Sequence, residues 1–273
     1  MKHKIYVAGL LFCFTFTVQN TQAQFLKKMQ QKLQDKVDKK VDDAMNGSKD
    51  AKGNSTQGNN TGGKLPNIEE VYSFTPGSTL FFSDNFSADG AGRMPKHWKS
   101  SGGGSVTAVT GVPGKWLALA PGTTYRIDNL LAMPGNFTVE FDLVTRSTAA
   151  KDIGPLKFGF ARDNSNRSYI NDAYNDNAIN STELHFWNED VTNSSSDTKI
   201  SNPLKFPLNN YANGLLHVAI AVEGENMRVY INKSKLLDTR MFNKNTIKYF
   251  YLSGPYSYDA EAMVYFSNFV IAK

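Results

Sequence analysis

The stretch Gly214–Asp238, GLLHVAIAVEGENMRVYINKSKLLD, decides the fold. In its first half Leu216, Val218, Ile220 and Val222 alternate with His217, Ala219, Ala221 and Glu223, the two-residue period of a half-buried strand. Glu223-Gly224-Glu225-Asn226 supplies a polar turn, after which Met227, Val229 and Ile231 alternate with Arg228 and Tyr230. Asn232-Lys233-Ser234 turns the chain again into Lys235-Leu236-Leu237-Asp238. Three antiparallel strands in a meander are expected.

Working outward, the same short period recurs between Leu65 and Lys273. Strands are expected at Thr79–Phe82, Ser105–Val109, Lys115–Leu119, Thr124–Ile127, Phe137–Val144, Leu156–Arg162, Glu183–Trp187, Leu215–Glu223, Met227–Ile231, Lys248–Leu252 and Met263–Ala272. Gly and Pro punctuate them, as in Val112-Pro113-Gly114, Pro121-Gly122, Met133-Pro134-Gly135 and Gly254-Pro255. No helical period intervenes, so crossover helices are excluded. Many short strands over about two hundred residues point to one all-β domain, residues 65–273: a two-sheet antiparallel sandwich of jelly-roll type. A seven-stranded immunoglobulin sandwich has too few strands for this length.

The order H-V-A-I-x-V-x-G-x-x-x-R-V-Y-I-N-x-x-x-L, His217 to Leu236, resembles the central meander of laminin G-like domains in the concanavalin A-like lectin/glucanase superfamily. FFSDNFSADGAGRMPKHW (Phe81–Trp98) is similar to the opening of such domains, and MVYFSNFVIAK (Met263–Lys273) to their closing strand. With YSFTPGSTLFF (Tyr72–Phe82), the opening also resembles the lectin-like region preceding the peptidoglycan-binding domain of some OmpA-family envelope proteins. The resemblance implies a fold, with Trp98 and Trp116 as framework, and says little about ligand. The chain ends at the closing strand, so peptidoglycan binding is not carried over.

At the N-terminus, Lys2 and Lys4 precede the apolar run Ile5 to Phe16, and Thr21-Gln22-Ala23 offers small residues for cleavage. Residues 1–23 read as a secretory signal peptide, too short to span a bilayer. The protein is therefore expected to be exported, to the periplasm, the outer-membrane surface or the medium. Its single cysteine, Cys13, lies inside this leader behind Phe12, which argues against lipidation and leaves the mature chain without thiol chemistry or disulfides. Residues 24–45 place Leu26, Met29, Leu33, Val37, Val41 and Ala44 at a mean step of 3.6, one amphipathic helix. Residues 46–64, NGSKDAKGNSTQGNNTGGK, hold no large apolar side chain and read as a disordered tether. A helix so isolated needs a partner for its apolar stripe. Self-association through residues 25–45, a membrane surface and an envelope protein are the candidates.

Charge divides the same way. Of 30 Lys and Arg and 25 Asp and Glu, two lysines sit in the leader, and nine basic and five acidic residues fall between 24 and 64. That leaves 19 basic against 20 acidic residues in the domain, so no nucleic-acid partner is expected there.

The chemistry starts on Phe137–Val144. With Phe137, Val139, Phe141 and Leu143 on the core face, Glu140 and Asp142 project together from the other. Laminarinase-type glycosidases of the resembled superfamily carry E-x-D-x-E on this strand; here Val144 replaces the last glutamate, removing one of two essential carboxyl groups. By the same alternation Glu183, His185 and Trp187 share one side of their strand, and Arg228 and Tyr230 one side of theirs. If these strands lie in one concave sheet, Glu140, Asp142, His185, Trp187, Arg228 and Tyr230 line a shallow sugar groove with an aromatic platform. Alternatively Trp187 is a partly buried cap on the core, and His185 and His217 are ordinary cross-strand partners. The Asp- and Asn-rich run after Arg162 offers Asp163, Asp172 and Asp176 as ligands for calcium, which laminin G-like domains often hold near a rim loop; a plain turn-rich loop is the alternative. Three functions remain open: a non-catalytic lectin-like module of the bacterial cell envelope binding glycan or a protein partner, a secreted glycan hydrolase or lyase, and a structural accessory of an outer-membrane complex.

Overall fold

The computed structural model describes residues 72–129 and 132–273. The expected signal peptide, amphipathic helix and tether lie outside the described residues. The strands are β1 (Leu80–Asp84), β2 (Trp98–Ser100), β3 (Ser105–Val109), β4 (Val112–Ala118), β5 (Thr124–Ile127), β6 (Asn136–Arg146), β7 (Leu156–Ala161), β8 (Ala178–His185), β9 (Asp190–Ser195), β10 (Ser201–Lys205), β11 (Leu215–Glu223), β12 (Asn226–Ile231), β13 (Ser234–Arg240), β14 (Tyr249–Ser253) and β15 (Met263–Ala272). Two antiparallel sheets contain them. Sheet A runs β13-β12-β11-β6-β15-β4-β3, with β1 also paired to β15, and sheet B runs β10-β9-β8-β7-β14-β5-β2.

The meander β11–β13 forms as its alternation dictates, with Val218 opposite Ile231 and Val222 opposite Met227. Left-handed Asn232 and Lys233 make its second turn, the conformation that two-residue hairpin loops require. Leu216, Val218, Ile220 and Val222 are buried in one core with Phe137, Val139, Phe141 and Leu143 of β6. Phe158, Phe160 and Phe250 of sheet B meet them from the other side, and Phe141 lies 5.3 Å edge-on to Phe158. The framework tryptophans are buried, as expected of them.

Three strands escape the hydropathy pattern: β2, β9 and β10 were not expected, and β8 begins at Ala178 rather than Glu183. For β8 and β9 the cause is a polar patch in the core. Asn193 and Ser195 of β9 and Asn180 and Thr182 of β8 are fully buried. Their polar atoms are paired: Thr182 Oγ1 donates to Asn193 Oδ1 at 2.7 Å, Asn193 Nδ2 to Leu236 O at 3.2 Å, and Ser195 Oγ to Met241 O at 2.7 Å. Satisfied polar groups are tolerated inside a core but carry no apolar period.

Gly159 of β7 is required by this packing. A Cβ there would lie 2.3 Å from the carbonyl oxygen of Asn180. Because that atom is backbone and anchored in the sheet, Gly159→Ala should cost about 1–3 kcal/mol, read as a lowered midpoint in urea denaturation.

Candidate functional site

The six residues of the expected groove do not share a face. Glu140 and Asp142 on β6 and Arg228 and Tyr230 on β12 belong to sheet A, whereas His185 ends β8 and Trp187 follows it in sheet B. Alternation assigns a side chain to one side of its strand but not to one of two sheets.

On the outer side of sheet A the carboxylates are already engaged. His217 of β11 stands opposite Asp142, its Nδ1 2.7 Å from Asp142 Oδ1 and its Nε2 3.4 Å from Glu140 Oε2. Asn268 Nδ2 donates to the other Asp142 oxygen at 2.8 Å. Burial alone would lower the His217 pKa, but hydrogen bonds to Asp142 and Glu140, and their charges, raise it to about 10. An imidazolium thus occupies the space between two carboxylates, where a retaining glycosidase would need the glycosidic bond. Tyr230 is no platform either. It is 1% exposed, boxed edge-on by Tyr72 at 5.5 Å and Phe74 at 5.8 Å, with Ser73 Oγ 3.1 Å from its hydroxyl. Burial, with the nearby charge of Glu140, pushes the Tyr72 phenol up to about 12. Arg228 pairs with Glu223 at the rim.

Trp187 is not a cap on the core. It stands 64% exposed in the β8–β9 turn, beside His185, whose Nδ1 lies 2.8 Å from Asn188 Nδ2.

A polar cleft lies on the outer side of sheet B, beside the segment 162–177. Register places Thr124 and Arg126 of β5 beside Ser253 and Tyr251 of β14 on that side, since Tyr125 and Leu252 face the core. The segment is pinned across these strands by Ile170, buried against Ala161, Ala178 and Tyr251, and by its backbone N–H, which donates to Thr124 Oγ1 at 2.8 Å. Tyr169 Oη reaches Gly254 O at 3.1 Å, Asn164 Nδ2 reaches Ile127 O at 2.9 Å and Asn166 Nδ2 reaches Ser100 O at 3.0 Å. Between segment and sheet opens a polar cleft of about 560 Å³, with Arg126 among its lining and Asp163, Asn166, Arg167, Ser168 and Asp176 around it.

Arg126 is 1% exposed. Its Nη1 donates to Asp163 O at 2.7 Å, but its Nε has no acceptor. Burial lowers its pKa, opposed by the nearby charges of Asp163 and Asp176. Sequence reasoning passed over this residue, because a lone arginine in Thr124–Ile127 looks like an outward, solvated charge. Only the fold brings a segment some forty residues later across it.

Asp163, Asp172 and Asp176, offered as calcium ligands, are not brought together as one group. Among the described residues no group of three or more His, Cys, Asp or Glu side chains is placed to hold a metal. The three aspartates serve the loop itself. Asp163 accepts from Ser165 N at 2.9 Å and Asn177 Nδ2 at 2.6 Å, Asp176 from Ser168 Oγ at 2.5 Å and Asn175 Nδ2 at 2.8 Å, and Asp172 from Tyr174 N at 2.6 Å.

No family model and no curated protein matches the chain. Among solved structures, the carbohydrate recognition domain of Emp47p is 10% identical with a TM-score of 0.51, the match covering 73% of this chain and 99% of that one. Arcelin-5, a lectin-like defense protein from Phaseolus vulgaris, is 12% identical with a TM-score of 0.49, covering 70% and 96%. The carbohydrate binding module CBM66 from Bacillus subtilis is 15% identical with a TM-score of 0.43, covering 65% and 96%. At such identities the Emp47p likeness shows the two-sheet fold and leaves the ligand to the site.

Proposed function

We propose that this protein is a non-catalytic glycan-binding module of the cell envelope, and that it binds on the outer side of sheet B in the Arg126 cleft. The observation that carries the reading is a buried guanidinium with an unmatched donor lining an open polar cleft. Its volume falls in the range of ligand pockets, about 300–1,000 Å³. Its lining of hydroxyls, amides and charged groups suits a ligand rich in hydroxyls better than an apolar one. The basic, apolar, small-residue order of residues 1–23 supports export, and residues 24–64 would tether the domain to an envelope partner.

The state of Glu140 and Asp142 supports binding without turnover. His217 and Asn268 hold both groups, so neither is placed as a free acid or nucleophile.

A glycan array probed with the purified protein tests this reading, together with Ser168→Trp. Ser168 is an exposed residue of the cleft lining, and the larger side chain would fill the opening. Binding should fall at least tenfold while the melting temperature stays within about 2 °C. Trp187→Ala should leave binding unchanged, because the eight residues of β8 place that ring roughly 25 Å from the cleft end of the strand. Loss of binding in Trp187→Ala with full binding in Ser168→Trp would move the site to the β8–β9 turn. Release of reducing ends from a polysaccharide, abolished by Glu140→Gln, would restore the hydrolase reading.

A further inference from the structure

Resting on that reading, we propose that the Arg126 cleft selects sugars bearing a carboxylate, that is uronic acid units, over their neutral counterparts. The anionic groups around the cleft are Asp163 and Asp176, and all four of their carboxylate oxygens already accept hydrogen bonds from the loop. The cationic groups are not matched in this way. Arg126 donates only from Nη1, to a neutral carbonyl, and forms no ion pair among the described residues. Arg167, exposed on the same cleft, makes no hydrogen bond and no ion pair among the described residues. Lys99, opposite Arg126 in the β2–β5 register, adds a third positive charge on this side of the sheet.

Arg126, Arg167 and Lys99 thus set three positive charges against the two negative charges of Asp163 and Asp176, whose oxygens are already engaged by the loop. A sugar hydroxyl must place its own hydrogen somewhere, whereas a carboxylate only accepts. Its planar pair of oxygens fits a guanidinium, and a charge-assisted hydrogen bond is stronger than a neutral one. Arg126, buried at the floor, contributes its charge from beneath, and the exposed Arg167 offers the free fork that an incoming carboxylate can reach.

The test is titration calorimetry of the full exported chain with oligomers of galacturonate, glucuronate and mannuronate, each against its methyl ester, which keeps the sugar and removes the charge. A sulfated oligosaccharide forms a further arm. At least one free acid should bind tenfold or more tighter than its ester, with affinity falling as salt rises. Arg167→Ala should weaken the acid about tenfold and leave the ester unchanged. Arg126→Lys, which keeps the charge but not the fork, should also weaken the acid, its fold checked by circular dichroism. Equal binding of acids and esters would overturn the selectivity and leave glycan binding standing. Preference for the sulfated oligosaccharide over every uronate would overturn the choice of carboxylate. No binding to any of these, together with a blank glycan array, would sink both.

Discussion

Phe141→Ala is expected to destabilise the domain by about 3–5 kcal/mol, lowering the melting temperature on the order of 10 °C. Phe141 is fully buried at the centre of the core. Its ring meets Phe158 at 5.3 Å, Phe266 at 5.5 Å and Phe250 at 5.8 Å, so it joins its own sheet to the one opposite. These neighbours belong to three strands fixed by ladders on both edges, and a cavity opened among them has little freedom to collapse. Trp187→Ala, made in parallel, should change stability by less than about 0.5 kcal/mol, since that larger ring is mostly in water. Similar melting temperatures for the two variants would mean that the apolar face of β6 does not form the core. Val218→Asp, directly opposite Phe141 in the ladder, should be more severe still, because it buries an unpaired charge.

How far the residues alone reach depends on what each strand buries. Ser105–Val109, Thr124–Ile127, Leu215–Glu223 and Met263–Ala272 coincide with their expected bounds. In most of these, apolar side chains alternate with polar or small ones. β9, with Asn193 and Ser195 turned inward, has the alternation but not the apolarity, and passes for a loop. The site was less legible than the fold for a related reason. Glu140, Asp142, Arg228 and Tyr230 do lie on one side of one sheet, as the period implies, yet what covers that side comes from Tyr72 to Phe74, a segment with no pattern of its own. Arg126 shows the converse. Its strand was found, but its importance comes from the turn-rich run 162–177, whose Asp and Asn residues were weighed as metal ligands and serve instead as hydrogen-bond partners within the loop. Ile170 and Ala173, the two apolar residues of that run that become buried, were the available hint that it folds back onto the sheet.

The Glu140–His217–Asp142 cluster, which takes no part in the proposed binding, should be visible in the pH dependence of stability. In the folded protein the His217 imidazole titrates near 10, against about 6.5 in an unfolded chain. The folded state therefore holds a proton that the unfolded state releases between these values. The stabilisation is complete below about pH 6.5 and is lost progressively as pH rises through 10. A displacement of this size corresponds to at most about 5 kcal/mol. With a quarter of the imidazole facing solvent, the expected loss is nearer 2–3 kcal/mol. Urea denaturation at intervals from pH 6 to pH 10 should show this decline in the wild type, and a much flatter profile in His217→Gln, which retains a donor but cannot titrate. Taking the difference between the two removes other contributions at the alkaline end, such as that of Tyr72, whose raised phenol also favours the protonated form. At pH 6 the variant should itself be less stable by a similar amount, because Glu140 and Asp142 then face each other without a cation between them. Parallel pH profiles for the two proteins would show that the imidazole is neutral in the fold, and that the two carboxylates are not held by its charge.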